Sequence, residues 1–181
     1  GIGNLTSLLT LLKGLPSNMP GIAIVQHIPP VFSGMFAQRM NTQTALKVKE
    51  AENGDFLEPG SVLIAPGDKH MQIRRMGDRY KAEVFEGEKV SGHCPSVDVL
   101  FESMAKACGD RAVGVLLTGM GSDGARGLLS MRKSGAYTIG QDEKSCVVYG
   151  MPKIAYDLGG VEKQLSLEAI PGELVQYLSK R

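Results

Sequence analysis

The 181 residues suffice for one domain with a single well-formed core, and 20 Lys plus Arg against 19 Asp plus Glu leave a formal charge of +1. That balance excludes the basic excess of a dedicated nucleic-acid binder. A hydrophobic share of 43% with 22% charged residues fits an ordinary soluble globular chain, and no apolar run approaches the roughly 20 residues that cross a bilayer. No secretory signal pattern is visible.

"GIGN" (1–4) reads as a loop entering a helix, able to cradle a phosphate, carry a nucleophile or simply turn. Leucines at 5, 8, 9, 11 and 12 then predict a helix over 5–13, which "GLP" at 14–16 ends. "GIAIVQH" (21–27) is a continuous apolar run, as expected of a strand buried on both faces, and "PPVFSGMFAQRMN" reads as a loop entering a helix. "GSVLIAP" (60–66) is a second such strand. The stretches on either side of Gly77-Asp78 alternate, which predicts a hairpin with a two-residue turn.

"SVDVLFESMAKACG" (96–109) predicts a helix with Ser96 as its N-cap and Gly109 just past its end. "AVGVLLT" (112–118) and "AYTIGQ" (136–141) read as two more buried strands. "DGARGLLSMRKSG" (123–135) and "MPKIAYDLG" read as helices, the second with Pro152 near its start. A last helix is expected from Glu173 onward. Apolar strands alternating with helices predict an α/β fold: a doubly wound, mostly parallel sheet flanked by helices, with the antiparallel β-hairpin as an addition. Sites in such folds form at the carboxyl ends of the strands.

That rule selects His27, Asp123 in "TGMGSDG", and the Gln141-Asp142-Glu143 stretch. A histidine at a strand end is as readily a hydrogen-bonded structural residue, and Asp123 alone reads first as a helix N-cap. Together, a histidine and a carboxylate on strand-end loops are two thirds of a nucleophile–base–orienter triad. Glycines 119, 121 and 124 suit a loop whose N–H groups point at an oxyanion or a phosphate. Neither GxxxxGK[ST] nor GxGxxG occurs, which weighs against the phosphate.

His70 opens the hairpin and is expected as a surface or turn histidine, whereas His93 precedes a helix in an irregular segment and can line a cleft. His70, His93 and Cys94 lack a fourth ligand and the paired spacing of a zinc site. Cys94, Cys108 and Cys146, with no CxxC among them, are expected as reduced thiols of a cytoplasmic protein.

In order, "VQHIPPVFSGMFAQRMN", "EAENGDFLEPGSVLIAPGDKHM", "HCPSVDVLFESMA" and "AVGVLLTGMGSDGARGLLSMRKSGAYTIGQDEKSCVVYGMPK" closely resemble the catalytic domain of the chemotaxis protein-glutamate methylesterase family, CheB. The resemblance covers essentially the whole chain, 1–181, as one catalytic domain. It implies hydrolysis of γ-glutamyl methyl esters on the cytoplasmic helices of methyl-accepting chemoreceptors, with deamidation of selected receptor glutamines. A Ser-His-Asp triad would do this without metal or organic cofactor. Carried over by motif, His27 is its base, Asp123 its orienter, and the Met120 amide an oxyanion-hole donor.

The family's serine lies in a "G-x-S-T-G-G" loop before the first helix, and this sequence has no serine there; Ser7 is one turn too late. Restoring "ST" between Ile2 and Gly3 would bring "GIGN" into register with the family, so the missing nucleophile is expected at that junction. The family's phosphorylatable receiver domain is not in these residues either, which leaves an excised catalytic domain or a protein without its own regulator. A catalytically inactive homologue that binds receptors or other partners remains the alternative.

Overall fold

The computed structural model describes residues 2–180, with side chains from residue 5 onward. Helix α1 (Ile2–Lys13) is followed by β1 (Ile22–Ile24), α2 (Pro30–Gln43), β2 (Lys47–Glu50) and β3 (Ser61–Ile64). The hairpin β4 (His70–Met76) and β5 (Arg79–Phe85) leads to α3 (Val97–Cys108), and a short 3-10 turn, Gly109–Arg111, leads on to β6 (Val113–Leu116). The chain continues through α4 (Ala125–Lys133), β7 (Tyr137–Gln141), α5 (Met151–Asp157), β8 (Lys163–Leu165) and α6 (Ile170–Ser179).

Outside the hairpin the named strands pair in parallel, in two ladders of order β1-β3-β2 and β6-β7-β8. Alternate residues explain the continuous apolar runs. Val62 and Ile64 of β3 enter one hydrophobic cluster while Leu63 and Ala65 enter the other. Strand β6 divides in the same way, with Val113 and Val115 on the first side and Ala112 and Leu116 bounding the second. The first cluster is roofed by α1, α2 and α6, the second by α3, α4, α5 and the hairpin. Both ladders contribute to both clusters and so share one middle layer.

The α/β class is as expected, but the parallel strands form two ladders rather than one. Among the described residues no ladder hydrogen bonds join β1 to β6. Instead, residues 22–27 and 113–118 line a common apolar cleft of about 300 Å³, closed by Leu8, Leu11 and Leu12 of α1. Apolar periodicity reports burial but not which strands are neighbours. Gly1 lies outside the described residues; Ile2, Gly3 and Asn4 form the first turn of α1 rather than a loop.

One contact fixes the chain beyond β1. Helix α2 begins at Pro30, whose missing N–H and preset φ suit a first helical position. The loop after β3 crosses this turn at Gly67: a Cβ there would stand 2.4 Å from Pro30 N and 2.8 Å from Ile28 O. The Gly67 N–H donates to Ser33 Oγ at 3.2 Å, and the Ser33 hydroxyl donates to Glu50. Gly67→Ala should therefore lower stability by at least about 2 kcal/mol, since the clash is with backbone that cannot yield like a side chain. The urea midpoint measures this; an unchanged midpoint refutes the constraint.

Candidate functional site

The site is built where β1 and β6 end. His27 stands three residues beyond β1, on the segment that Gly67 clamps to the start of α2. Asp123 lies between β6 and α4 and is fully buried, with 0% exposure. Its turn needs Gly124, which has φ +92 and whose Cβ would meet Val97 Cγ1 at 2.8 Å and Leu116 Cδ1 at 2.9 Å. That close approach brings Asp123 against the N-terminus of α3.

Asp123 accepts four hydrogen bonds. Oδ2 takes His27 Nε2–H at 2.7 Å and Val97 N–H at 2.8 Å; Oδ1 takes the Ser96 hydroxyl at 2.8 Å and Asp98 N–H at 3.0 Å. Two of these donors are unpaired N–H groups of the first turn of α3, where a helix favours negative charge. Asp123 is thus an N-terminal cap, but of α3 and not of the helix that follows it. Ser96 is the N-cap residue of α3 as expected, but its hydroxyl makes no cap bond and donates to Asp123.

Burial pushes the Asp123 carboxyl up, yet the His27 bond, the Asp98 and Val97 amides and the Ser96 hydroxyl outweigh it and hold it below the ordinary range. With Nε2 engaged, Nδ1 is the nitrogen of His27 left to exchange a proton. No serine or cysteine among the described residues hydrogen-bonds His27. The neighbouring Cys94 thiol is pushed up by burial and by Asp68, so it is not a poised thiolate. Cys146 is raised further, to about 11, mainly by burial.

Around this pair the loops are held by buried polar groups that sequence reasoning assigned otherwise or missed. Gln141 ends β7 with 0% exposure; its Oε1 accepts Thr118 N–H at 2.8 Å and its amide donates to Ser145 O at 2.8 Å. Thr118 and Val148 exchange two bonds, of 3.0 and 2.8 Å, which fix the start of the "TGMGSDG" loop. Met120 in that loop exposes 76% of its surface, and its N–H donates to no described protein group. Asp98, nearly buried, accepts Gly127 N–H at 2.8 Å and the Ser91 hydroxyl at 2.6 Å.

His70 is not a surface residue. It is 2% exposed, donates Nε2–H to Glu88 O at 2.7 Å and accepts Ser96 N–H on Nδ1 at 3.3 Å, tying the segment before α3 to the hairpin. His93 does reach the site, its ring stacked on His27 with centroids 3.6 Å apart and planes 2° from parallel. No group of His, Cys, Asp and Glu able to hold a metal occurs among the described residues. Nor is any described helix long and apolar enough to cross a membrane.

Asp123→Ala leaves the Ser96 hydroxyl and two amide N–H groups buried without an acceptor, and should cost about 3 kcal/mol or more at neutral pH. A carboxyl lowered on folding contributes stability above its unfolded value near 3.9, and that contribution is lost as pH falls through the folded value. The gap between wild type and variant should therefore shrink below about pH 4. Unfolding curves at a series of pH values check both parts; a pH-independent gap contradicts the ionised assignment.

The known proteins that this chain is similar to agree with one another. The family described as CheB methylesterase matches residues 1–174. A protein-glutamate methylesterase/protein-glutamine glutaminase of Syntrophomonas wolfei is 53% identical over 178 residues, 98% of this chain and 52% of that protein. The protein of the same name from Pseudomonas aeruginosa is 48% identical over 99% of this chain and 51% of its own length. The chain thus spans about half the length of the curated relatives it matches. The crystal structure of the Thermotoga maritima CheB methylesterase catalytic domain superposes with a TM-score of 0.93 at 34% identity, covering 97% of this chain and 94% of that one. With the family matched over nearly all its residues, and the fold shared with that domain, the chain belongs to the CheB methylesterase family.

Proposed function

We propose that this chain is the catalytic domain of a cytoplasmic protein-glutamate methylesterase acting on chemoreceptor helices, hydrolysing γ-glutamyl methyl esters to glutamate and methanol and deamidating receptor glutamines at the same site. The observation that carries this reading is the 2.7 Å bond from His27 to a buried, fourfold hydrogen-bonded Asp123 at the carboxyl ends of two parallel strands. Two relatives bearing the names of both activities support the substrate class. Their greater length leaves room for the phosphorylatable receiver domain that we count among the partners.

In this reading the nucleophile is a serine contributed from outside residues 1–181, on the G-x-S-T-G-G loop of the family. His27 takes the hydroxyl proton on Nδ1 as the serine oxygen attacks the ester carbonyl. Asp123 already holds Nε2–H, so the imidazolium forms beside a carboxylate that needs no rearrangement. The Met120 N–H donates to the developing oxyanion. As the tetrahedral intermediate collapses, His27 returns its proton to the departing methoxide, which leaves as methanol, or in the amide reaction to the leaving nitrogen, which departs as ammonia, and water repeats the sequence on the acyl-enzyme.

Methanol release from a methylated receptor, measured on the full polypeptide that carries this domain, tests the reading. His27→Ala should lower kcat by about 10⁴-fold with substrate still bound. Met120→Ala should leave kcat within about threefold, because only the backbone N–H is used. A folded protein that binds receptor helices but releases no methanol would instead be an inactive homologue, and undiminished activity in His27→Ala would overturn the assignment of the base.

A further inference from the structure

Two imidazoles meet at this site, and the mechanism uses one. His93 lies flat on His27, and it is carried there by a rigid backbone turn. Val90 and His93 exchange both amide bonds, at 2.9 and 3.0 Å, around Ser91 and Gly92, whose φ values are 53° and 83°. The Ser91 hydroxyl anchors the turn to Asp98 of α3, which in turn grips the start of α4 through Gly127 N–H. Among the described residues the His93 ring nitrogens take no hydrogen bond, and its ring–ring contact is with His27.

A single bond from Nε2 to Asp123 pins one corner of the His27 ring and leaves the ring free to swing about that bond. A flat partner at 3.6 Å removes the swing, since tilting would drive one ring into the other. Charge adds to this. The groups facing His93 are His27 across the stack, Asp123 behind it and Lys89 on its own segment. Burial first, then His27 and Lys89, hold His93 below the ordinary histidine value against the opposing pull of Asp123. A histidine held below its ordinary value is neutral near pH 7, so His93 meets His27 as an uncharged ring.

We propose that His93 is a positioning residue, a flat plate that fixes the plane of His27 so that Nδ1 faces the attacking hydroxyl. The role in catalysis rests on the hydrolase reading above; the fixed plane does not. His93→Phe keeps a flat ring without ring nitrogens, and His93→Leu fills the space without a plane. ¹³C relaxation of the His27 ring carbons should show a rigid ring in the wild type and His93→Phe, and added ring motion in His93→Leu. In the methanol assay His93→Leu should lower kcat about tenfold with KM unchanged within twofold, the upper range of what one aromatic pair contributes, while His93→Phe stays within about threefold of wild type.

Wild-type ring order and kcat in His93→Leu would overturn the proposal. So would a loss in His93→Phe equal to that in His93→Leu, which would assign chemistry to the ring nitrogens themselves. If His93→Leu does not fold, His93→Ala is the second variant without a plane and is read in the same way. If the wild type releases no methanol, the hydrolase reading fails and the ring relaxation alone decides the positioning role.

Discussion

Everything at the carboxyl ends of the strands depends on the ionised carboxylate of Asp123 being buried. A charge without solvent is tolerable only when its lone pairs are filled, and here four donors fill them. Two of the donors are the amides that α3 would otherwise leave unpaired, so one group completes both a helix terminus and a histidine's orientation. Structural and chemical demands coincide at this carboxylate, and substitutions there cannot separate them cleanly. His27, by contrast, has an edge left open and can be altered with less damage to the fold.

The scaffolding around the pair follows one pattern. Each flexible segment is tied down by a buried polar side chain from another element: Gln141 holds the start of the "TGMGSDG" loop, His70 the approach to α3, and Asp98 the turn that bears His93. None of these three makes an argument for chemistry, since all are saturated by the protein. Met120 differs, with an N–H that no protein group claims.

Much of this was legible in the chain. The runs 21–27, 60–66, 112–118 and 136–141 announced strands because both of their faces are buried, and Gly77-Asp78 announced the hairpin turn. Strands β2 and β8 left no such signal: "KVKE" and "KQL" are short edge strands, polar where they meet solvent, with Val48 as the one buried residue of β2. The strand-end rule singled out His27 and Asp123 before any contact was known. It could not tell that Asp123 caps α3, because that pairing joins segments distant in sequence. The stacking of His93 and the burial of His70 were hidden for the same reason; only the position of His93 just before α3 hinted at a place near the site.

The split of the parallel strands into two ladders has a consequence of its own. His27 follows β1 and Asp123 follows β6, so their bond bridges a seam that, among the described residues, no main-chain pairing crosses. A ladder would hold the two ends in register to a few tenths of an ångström, whereas here the gauge is set by the fit of leucines, valines and isoleucines in the layers above and below. The spacing of His27 and Asp123 is thereby delegated to apolar side chains rather than to a ladder. A methylene gained or lost deep in either hydrophobic layer can shift that spacing while every polar residue stays as it was.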